Sequence, residues 1–277
     1  MIRWVAFAGV ALAFSLAGPS AQPPLTRVVF LTNYVFQGRH APFFVGIDKG
    51  FYRSAGIDLN VSPASGSAFV IAAVESGKAD YGMAETAPLV QAIGQGARVK
   101  AFAVFMDLTT SGLASLAPFA APETIVDRTV AASLTDSARV ILPIVFTRAR
   151  LDPGRIKWLA ADPSVYASLL LARAERLTAN ASAARAFKAA TAQAVRYALD
   201  HPEETARVMV RHNPMLDYDT VLAQWRASMQ AIDTPFVNAH GYGVATPDRV
   251  ERSIAMVKQA FKIDAPLTAN DVYVDVK

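Results

Sequence analysis

Residues Thr26 to Val61 place an apolar run, a polar loop, a punctuated helical segment and a second apolar run in immediate succession. This order constrains the fold more than any other feature of the chain. Val28, Val29, Phe30 and Leu31 are nearly continuous apolar residues, a composition that suits a parallel strand covered by helices on both faces. Pro42 near the start and Gly50 at the end bound a short helix, APFFVGIDKG. The stretch reads as the first βαβ unit of an open α/β sheet. In such sheets ligands collect at the carboxyl ends of the strands, so the loop Thr32–His40 is placed where a ligand would bind. It offers Asn33, Tyr34, Gln37, Arg39 and His40.

Ahead of that unit, Arg3, an apolar run from Trp4 to Leu16 and the small residues and proline up to Ala21 have the layout of a cleavable secretory leader, too short for a membrane span. Cleavage is expected near Ala21, which makes residues 1–21 a signal peptide. The chain has no cysteine, which excludes disulfides, thiol catalysis and a lipid-bearing cysteine. The expectation is a protein exported to a periplasm and not lipidated. Its net charge of +4 comes from dispersed residues without a basic run, so nucleic-acid binding has little support.

The α/β pattern continues. Ser65-Gly66-Ser67 precedes the periodic run Phe69, Val70, Ala73 and Val74, with Gly77 after it, which predicts a helix with a small-residue N-terminus. That terminus either holds a polar or anionic group or is plainly capped by serine. A strand is expected from Asp80 to Ala84 and a helix from Thr86 to Ile93, which puts Glu85 and Thr86 at the ligand edge as well. Val99–Met106 reads as a buried strand and Asp107–Ser111 as a flexible hinge. A second lobe then starts, with strands at Arg128–Ser133 and Ile156–Ala160, a helix beginning around Leu134–Ser137, and another helix beginning at Asp162-Pro163-Ser164 and carrying Tyr166 and Leu169–Leu171. From Ala181 the chain reads as helical. Phe187, Ala190, Ala194 and Tyr197 mark one apolar face, Val221, Trp225 and Met229 a second, and Val250, Ile254, Val257 and Phe261 a third. Asn238–Gly243 reads as a loop.

The four histidines, His40, His201, His212 and His240, lack metal-ligand spacing. His201 and His212 suit helix ends, whereas His40 serves either a ligand or the fixing of its own loop. No serine has a nucleophile-elbow context, and phosphate-loop and dinucleotide fingerprints are absent. Asp136, at a helix start, is either a cap or a ligand contact.

The segments Leu31–Tyr34, His40–Gly46, Asp48–Tyr52, Ala55–Leu59, Ser65–Ser67 and Val74–Gly82 resemble, in order and spacing, the periplasmic solute-binding proteins of ABC importers for nitrate, taurine and other sulfonates, and the thiamine-precursor pyrimidine. The resemblance implies an α/β fold of the type II periplasmic-binding-protein kind, a clamshell of two lobes with the ligand between them and a helical C-terminal part. Lobe 1 would be residues 22–108 and 180–277, and lobe 2 residues 109–179. Tyr34 stands about where pyrimidine-binding members carry a stacking tryptophan. The departure lies between Ala174 and Ala181, where a further helix and strand are missing before the return to the first lobe, so lobe 2 is reduced. The implied function is to deliver a small organic solute, pyrimidine-, sulfonate- or aromatic-acid-like, to an inner-membrane permease, without catalysis, cofactor or metal. The expected ligand contacts are Asn33, Tyr34, His40, Ser65, Gly66, Ser67, Glu85, Thr86, Asp107 and Asp136. A homo-oligomer is expected to cover the shortened lobe's sheet edge. Two alternatives stand beside this reading. One is a ligand-binding sensor or accessory protein. The other is an enzyme like the thiamine-pyrimidine synthases, which would need a lysine for pyridoxal phosphate and a cysteine-rich iron motif.

Overall fold

The computed structural model describes residues 24–108, 121–132, 138–160 and 168–276. In chain order these form β1 (Thr26–Leu31), α1 (Ala41–Asp48), α2 (Phe51–Ser54), β2 (Ile57–Ser62), α3 (Ser67–Glu75), β3 (Tyr81–Ala84), α4 (Thr86–Gly94) and β4 (Val99–Val104). A second unit follows, with β5 (Thr129–Ala132), α5 (Ala138–Arg148) and β6 (Lys157–Ala160). The chain then makes β7 (Leu169–Arg173), α6 (Ala174–Ala179), α7 (Ala181–Asp200), α8 (Pro202–His212), α9 (Tyr218–Ile232), α10 (Pro235–His240), α11 (Pro247–Phe261) and α12 (Ala269–Val272). The leader, Leu134–Ser137 with Asp136, Asp162 and Tyr166 lie outside the described residues. Among the described residues no helix is long and apolar enough to cross a membrane.

The main sheet has the order β2-β1-β3-β7-β4. β1 is parallel to β2 and β3, while β7 runs antiparallel between β3 and β4. Each central strand is apolar on both sides because each side meets a helical layer. Val28 and Phe30 of β1, Tyr81 and Met83 of β3, Phe102 of β4 and Leu170 and Ala172 of β7 point into one core with α1, α7, α8 and α9. Leu31, Ala84, Ala101, Leu169 and Leu171 point into the other, with α3, α4 and α11. This alternation is the period-two signature of a strand, hidden in sequence because neither face is polar. Phe187 anchors the first core, its ring 4.8 Å from Tyr81 and 5.5 Å from Phe30 and Tyr52. On the opposite side α3 crosses so close to β3 that a Cβ at Gly82 would lie 2.3 Å from Val70 Cγ1.

One expectation is overturned by this topology. Leu169–Leu171, read as part of a helix, are the first three residues of β7. A short all-apolar run fits a buried strand or a buried helix equally on periodicity, and pairing with β3 and β4 decides it. Leu169–Ala179, expected in the second lobe, therefore lie against the first sheet: β7 is a strand of it and α6 packs on β7 and α7. The return to that sheet comes directly after Ser168.

The second unit is a two-stranded parallel sheet, with Thr129 paired with Lys157 and Ala132 with Ala160. Leu142 and Phe146 of α5 pack with Ile156 in a small core of their own. Ile144, with Val140 and Ile141 beside it, instead enters the second core of the main sheet alongside Ile254 and Val257 of α11. One helix thus serves two cores.

Candidate functional site

Because β7 is antiparallel, its amino end lies at the same edge as the carboxyl ends of β1 and β3. Leu31 pairs with Gly82, and Ala84 pairs with Leu169. Thr32 and Asn33, then Glu85, then Ser168 are therefore adjacent in space, and all are buried. The 3₁₀ turn Gly38–His40 brings Arg39 and His40 to the same place. Both are buried there, Arg39 at 2% and His40 at 0% exposure. Gly38 permits that turn, since a Cβ on it would stand 2.3 Å from the Val221 carbonyl oxygen and 2.5 Å from the Trp225 amide nitrogen.

The side chains form one network. The Gln37 N–H donates to His40 Nδ1 at 3.1 Å, which leaves the imidazole proton on Nε2, the nitrogen 3.2 Å from Asn33 Oδ1. Asn33 therefore accepts from His40 through Oδ1. Its Nδ2 group donates to Glu85 Oε1 at 3.0 Å and to Ser168 Oγ at 3.3 Å. Ser168 Oγ donates onward to Glu85 Oε1 at 3.0 Å, and the Glu85 N–H donates to Ser67 Oγ at 3.1 Å. Burial pushes the Glu85 carboxyl well above its ordinary value near 4.5, with the Arg39 charge and the Ser168 hydrogen bond opposing. Burial, and then Arg39, hold His40 well below 6.5. Both groups are thereby pushed toward their neutral forms.

The expected site residues divide into three sets. Asn33, His40, Glu85 and Ser67 share the network. Of the two roles expected of it, His40 takes the loop-fixing one through Gln37, and it also meets Asn33. Ser67 does not cap its own helix; Gly66 is the N-cap residue of α3, at φ 138°, and the serine hydroxyl faces Glu85. Tyr34 is 4% exposed, and its carbonyl accepts from the Thr32 hydroxyl at 2.8 Å and the Ala64 N–H at 3.4 Å, so the loop after β1 is tied to the one that carries Ser65 and Gly66. Thr86 and Asp107 instead line a neighbouring cavity of about 100 Å³, together with Met106, Leu169, Arg249 and Ser253. Asp136 lies outside the described residues.

Of the hinge expected at Asp107–Ser111, residues 109–111 lie outside the described residues, and Asp107 and Leu108 are tied down. Their N–H groups donate to the Ala231 carbonyl at 2.9 and 3.1 Å. Asp107 Oδ1 is 2.5 Å from Arg249 Nη1, and Oδ2 accepts from Thr234 Oγ1 at 2.6 Å. The Arg249 guanidinium also lies 4.0 Å from the Phe236 ring centroid. A buried carboxylate is costly unless paired and hydrogen-bonded, and both conditions are met here.

Sequence reasoning missed Ser168 and left Arg39 as one polar loop residue among several. Reading Leu169–Leu171 as a strand antiparallel to the first ones would have placed Ser168 at the ligand edge. Among the described residues no cluster of His, Cys, Asp and Glu is arranged to hold a metal ion.

Residues 37–163 match the family model described as NMT1/THI5 like, a span that includes His40, Ser67, Glu85 and Asp107 and excludes Asn33, Tyr34 and Ser168. No curated protein matches the sequence. Among solved structures, the chain is similar to the alkanesulfonate-binding protein SsuA from Xanthomonas axonopodis pv. citri bound to MOPS, with a TM-score of 0.69 and 11% identity over 92% of this chain and 100% of that one. It is similar to a conserved Candida albicans gene product with the generic periplasmic binding protein structural fold, at TM-score 0.66 and 10% identity over 91% and 97% of the two chains. It also resembles the desulfurization enzyme DSZB, at TM-score 0.53 and 11% identity over 90% and 97%. With an NMT1/THI5-like segment set in these β-strands and helices, the chain has the periplasmic-binding-protein fold.

Proposed function

We propose that this protein is the periplasmic substrate-binding component of an ABC importer and that it binds a small organic solute, pyrimidine-, sulfonate- or aromatic-acid-like, without catalysing a reaction. The observation that carries this reading is the buried network His40–Asn33–Glu85–Ser168, with the buried Arg39 beside it, assembled where strand ends of an open sheet offer a ligand site. A solute that takes over one of these bonds meets groups already oriented by the others, which favours affinity. The contacts proposed beside that network are Tyr34 as an aromatic face and Ser65, Gly66 and Thr86 for helix-terminus N–H groups, with Asp107 and Asp136 added to them. Fold likeness to an enzyme does not carry its activity, because function resides in the site.

Calorimetric titration of the purified protein against sulfonates, nitrate, pyrimidines and aromatic acids tests the proposal. Heat and saturation with one class is the expected result, and silence across the panel overturns it. The two-stranded second unit favours a sensor or accessory role as the other reading. Pull-down from membranes separates the two: a permease supports the importer, and a histidine kinase supports the sensor. Light scattering on the same sample checks for the self-association that would cover the β5–β6 edges.

A further inference from the structure

The site and the two chain crossings between the sheet and the second unit meet at one residue. Ser168 is 1% exposed. Its Oγ sits between Asn33 Nδ2, from which it accepts, and Glu85 Oε1, to which it donates. Its carbonyl oxygen accepts from the N–H groups of Phe105 and Met106 at 3.0 and 3.1 Å. Phe105 and Met106 belong to the outgoing crossing, directly after β4, and Ser168 is the last residue of the returning one, directly before β7. The side chain of Ser168 thus belongs to the network and its backbone belongs to the straps. Alanine in its place would keep the carbonyl that accepts the strap bonds but lose the network bonds that hold that carbonyl in position.

We propose that Ser168 is a positioning residue that transmits the state of Asn33 and Glu85 to the chain crossings. A shift of the Glu85 carboxyl moves the Ser168 hydroxyl, and with it the carbonyl to which Phe105 and Met106 are bonded. A solute that engages Glu85 or Asn33 in the proposed site would therefore change how tightly the crossings are held. The link exists in the unliganded protein, so it can be tested, and can fail, independently of the solute-binding reading.

The test is residue-resolved amide hydrogen exchange on the ligand-free protein, comparing wild type, Glu85→Ala, Ser168→Ala, Ser168→Thr and the Glu85→Ala/Ser168→Ala double variant. The amides of Asp107 and Leu108 are the internal control, since they bond to the Ala231 carbonyl and not to Ser168. Glu85→Ala, which removes the acceptor of the Ser168 hydroxyl, should speed exchange at Phe105 and Met106 by about tenfold relative to Asp107 and Leu108, the scale of one hydrogen bond's net contribution. Ser168→Ala should do the same, Ser168→Thr should stay close to wild type, and the double variant should exchange no faster at Phe105 and Met106, relative to the control, than Ser168→Ala alone. Unchanged relative exchange at Phe105 and Met106 in Glu85→Ala, effects of the two substitutions that simply multiply, or equal acceleration at Asp107 and Leu108 would each overturn the proposal. Should Ser168→Ala fail to fold, wild type against Glu85→Ala with the internal control still decides it. In wild type, moreover, the Phe105 and Met106 amide shifts should titrate with the same midpoint as the Glu85 carboxyl carbon, and separate midpoints would refute the link.

Discussion

Glu85 gives the sharpest stability test of the network. Glu85→Ala removes the acceptor used by both Asn33 Nδ2 and Ser168 Oγ, in a place where Glu85 itself is 2% exposed. Each buried donor left without a partner costs about 1–3 kcal/mol, so the expected loss is roughly 2–6 kcal/mol before any cavity contribution. Glu85→Gln keeps an Oε1 acceptor and should cost about 1 kcal/mol or less at low pH. The two proteins should then diverge with pH. The folded carboxyl lies well above its ordinary value near 4.5, so the folded state binds this proton more tightly than the unfolded chain. Stability from Glu85 is fully present below about pH 4.5 and is lost as pH rises through the folded value. Glutamine carries no such proton, so Glu85→Gln should gain on wild type as pH rises above 4.5, until the pH passes the raised folded value. His40 has the opposite sign, its contribution being lost as pH falls from 6.5 toward its lowered folded value, but it is common to both proteins and cancels in the difference. Urea unfolding of the three proteins at several pH values measures this. A Glu85→Gln difference that stays constant with pH would refute the claim that burial governs Glu85, and a Glu85→Ala cost under about 1 kcal/mol would refute the network.

Phe187→Ala should lose about 3–5 kcal/mol by urea unfolding, because a fully buried ring touching Phe30, Tyr52 and Tyr81 leaves a cavity that the sheet cannot collapse into. Gly38→Ala should lower the melting temperature measurably, on the scale of about 1–3 kcal/mol or more, since the clash is with backbone atoms of α9 that no rotamer change relieves. Arg249→Met leaves the Asp107 side chain, 3% exposed, without its cation; Arg249 is itself a third exposed, so roughly 1–3 kcal/mol is expected, and Asp107→Asn in addition should recover part of it. Tyr34→Ala should weaken solute binding more than Asp136→Ala, read by calorimetry with whichever solute the panel identifies.

The first βαβ unit was legible because its signals are local: an apolar run, a polar loop, Pro42 inside the helix start and Gly50 at φ 73° beyond its end. The faces of α7, α9 and α11 were legible for the same reason, since amphipathic helices carry their own 3.6-residue period. Leu169–Leu171 carry no period at all, being buried on both faces, and only pairing with β3 and β4 makes them a strand. That misreading also concealed Ser168, whose role depends on strand direction. The part of Ser67 was invisible for a different reason. A serine ahead of a helix is ordinarily its cap, and nothing nearby in sequence announces that its hydroxyl meets the Glu85 N–H from the next strand–helix loop.

The two-sided burial of α5 bears on how the β5–α5–β6 unit can move. Its Leu142 and Phe146 hold the small sheet, while Ile144 is seated among Ile254 and Val257 across the boundary. Tilting that unit outward as a rigid flap would strip Ile144 from its seat and wet it together with the α11 residues that cover it, at about 25 cal/mol for each Å² of apolar surface uncovered. The helix therefore works as a rivet between the two plates, and any movement of one against the other has first to draw Ile144 out of the α11 face.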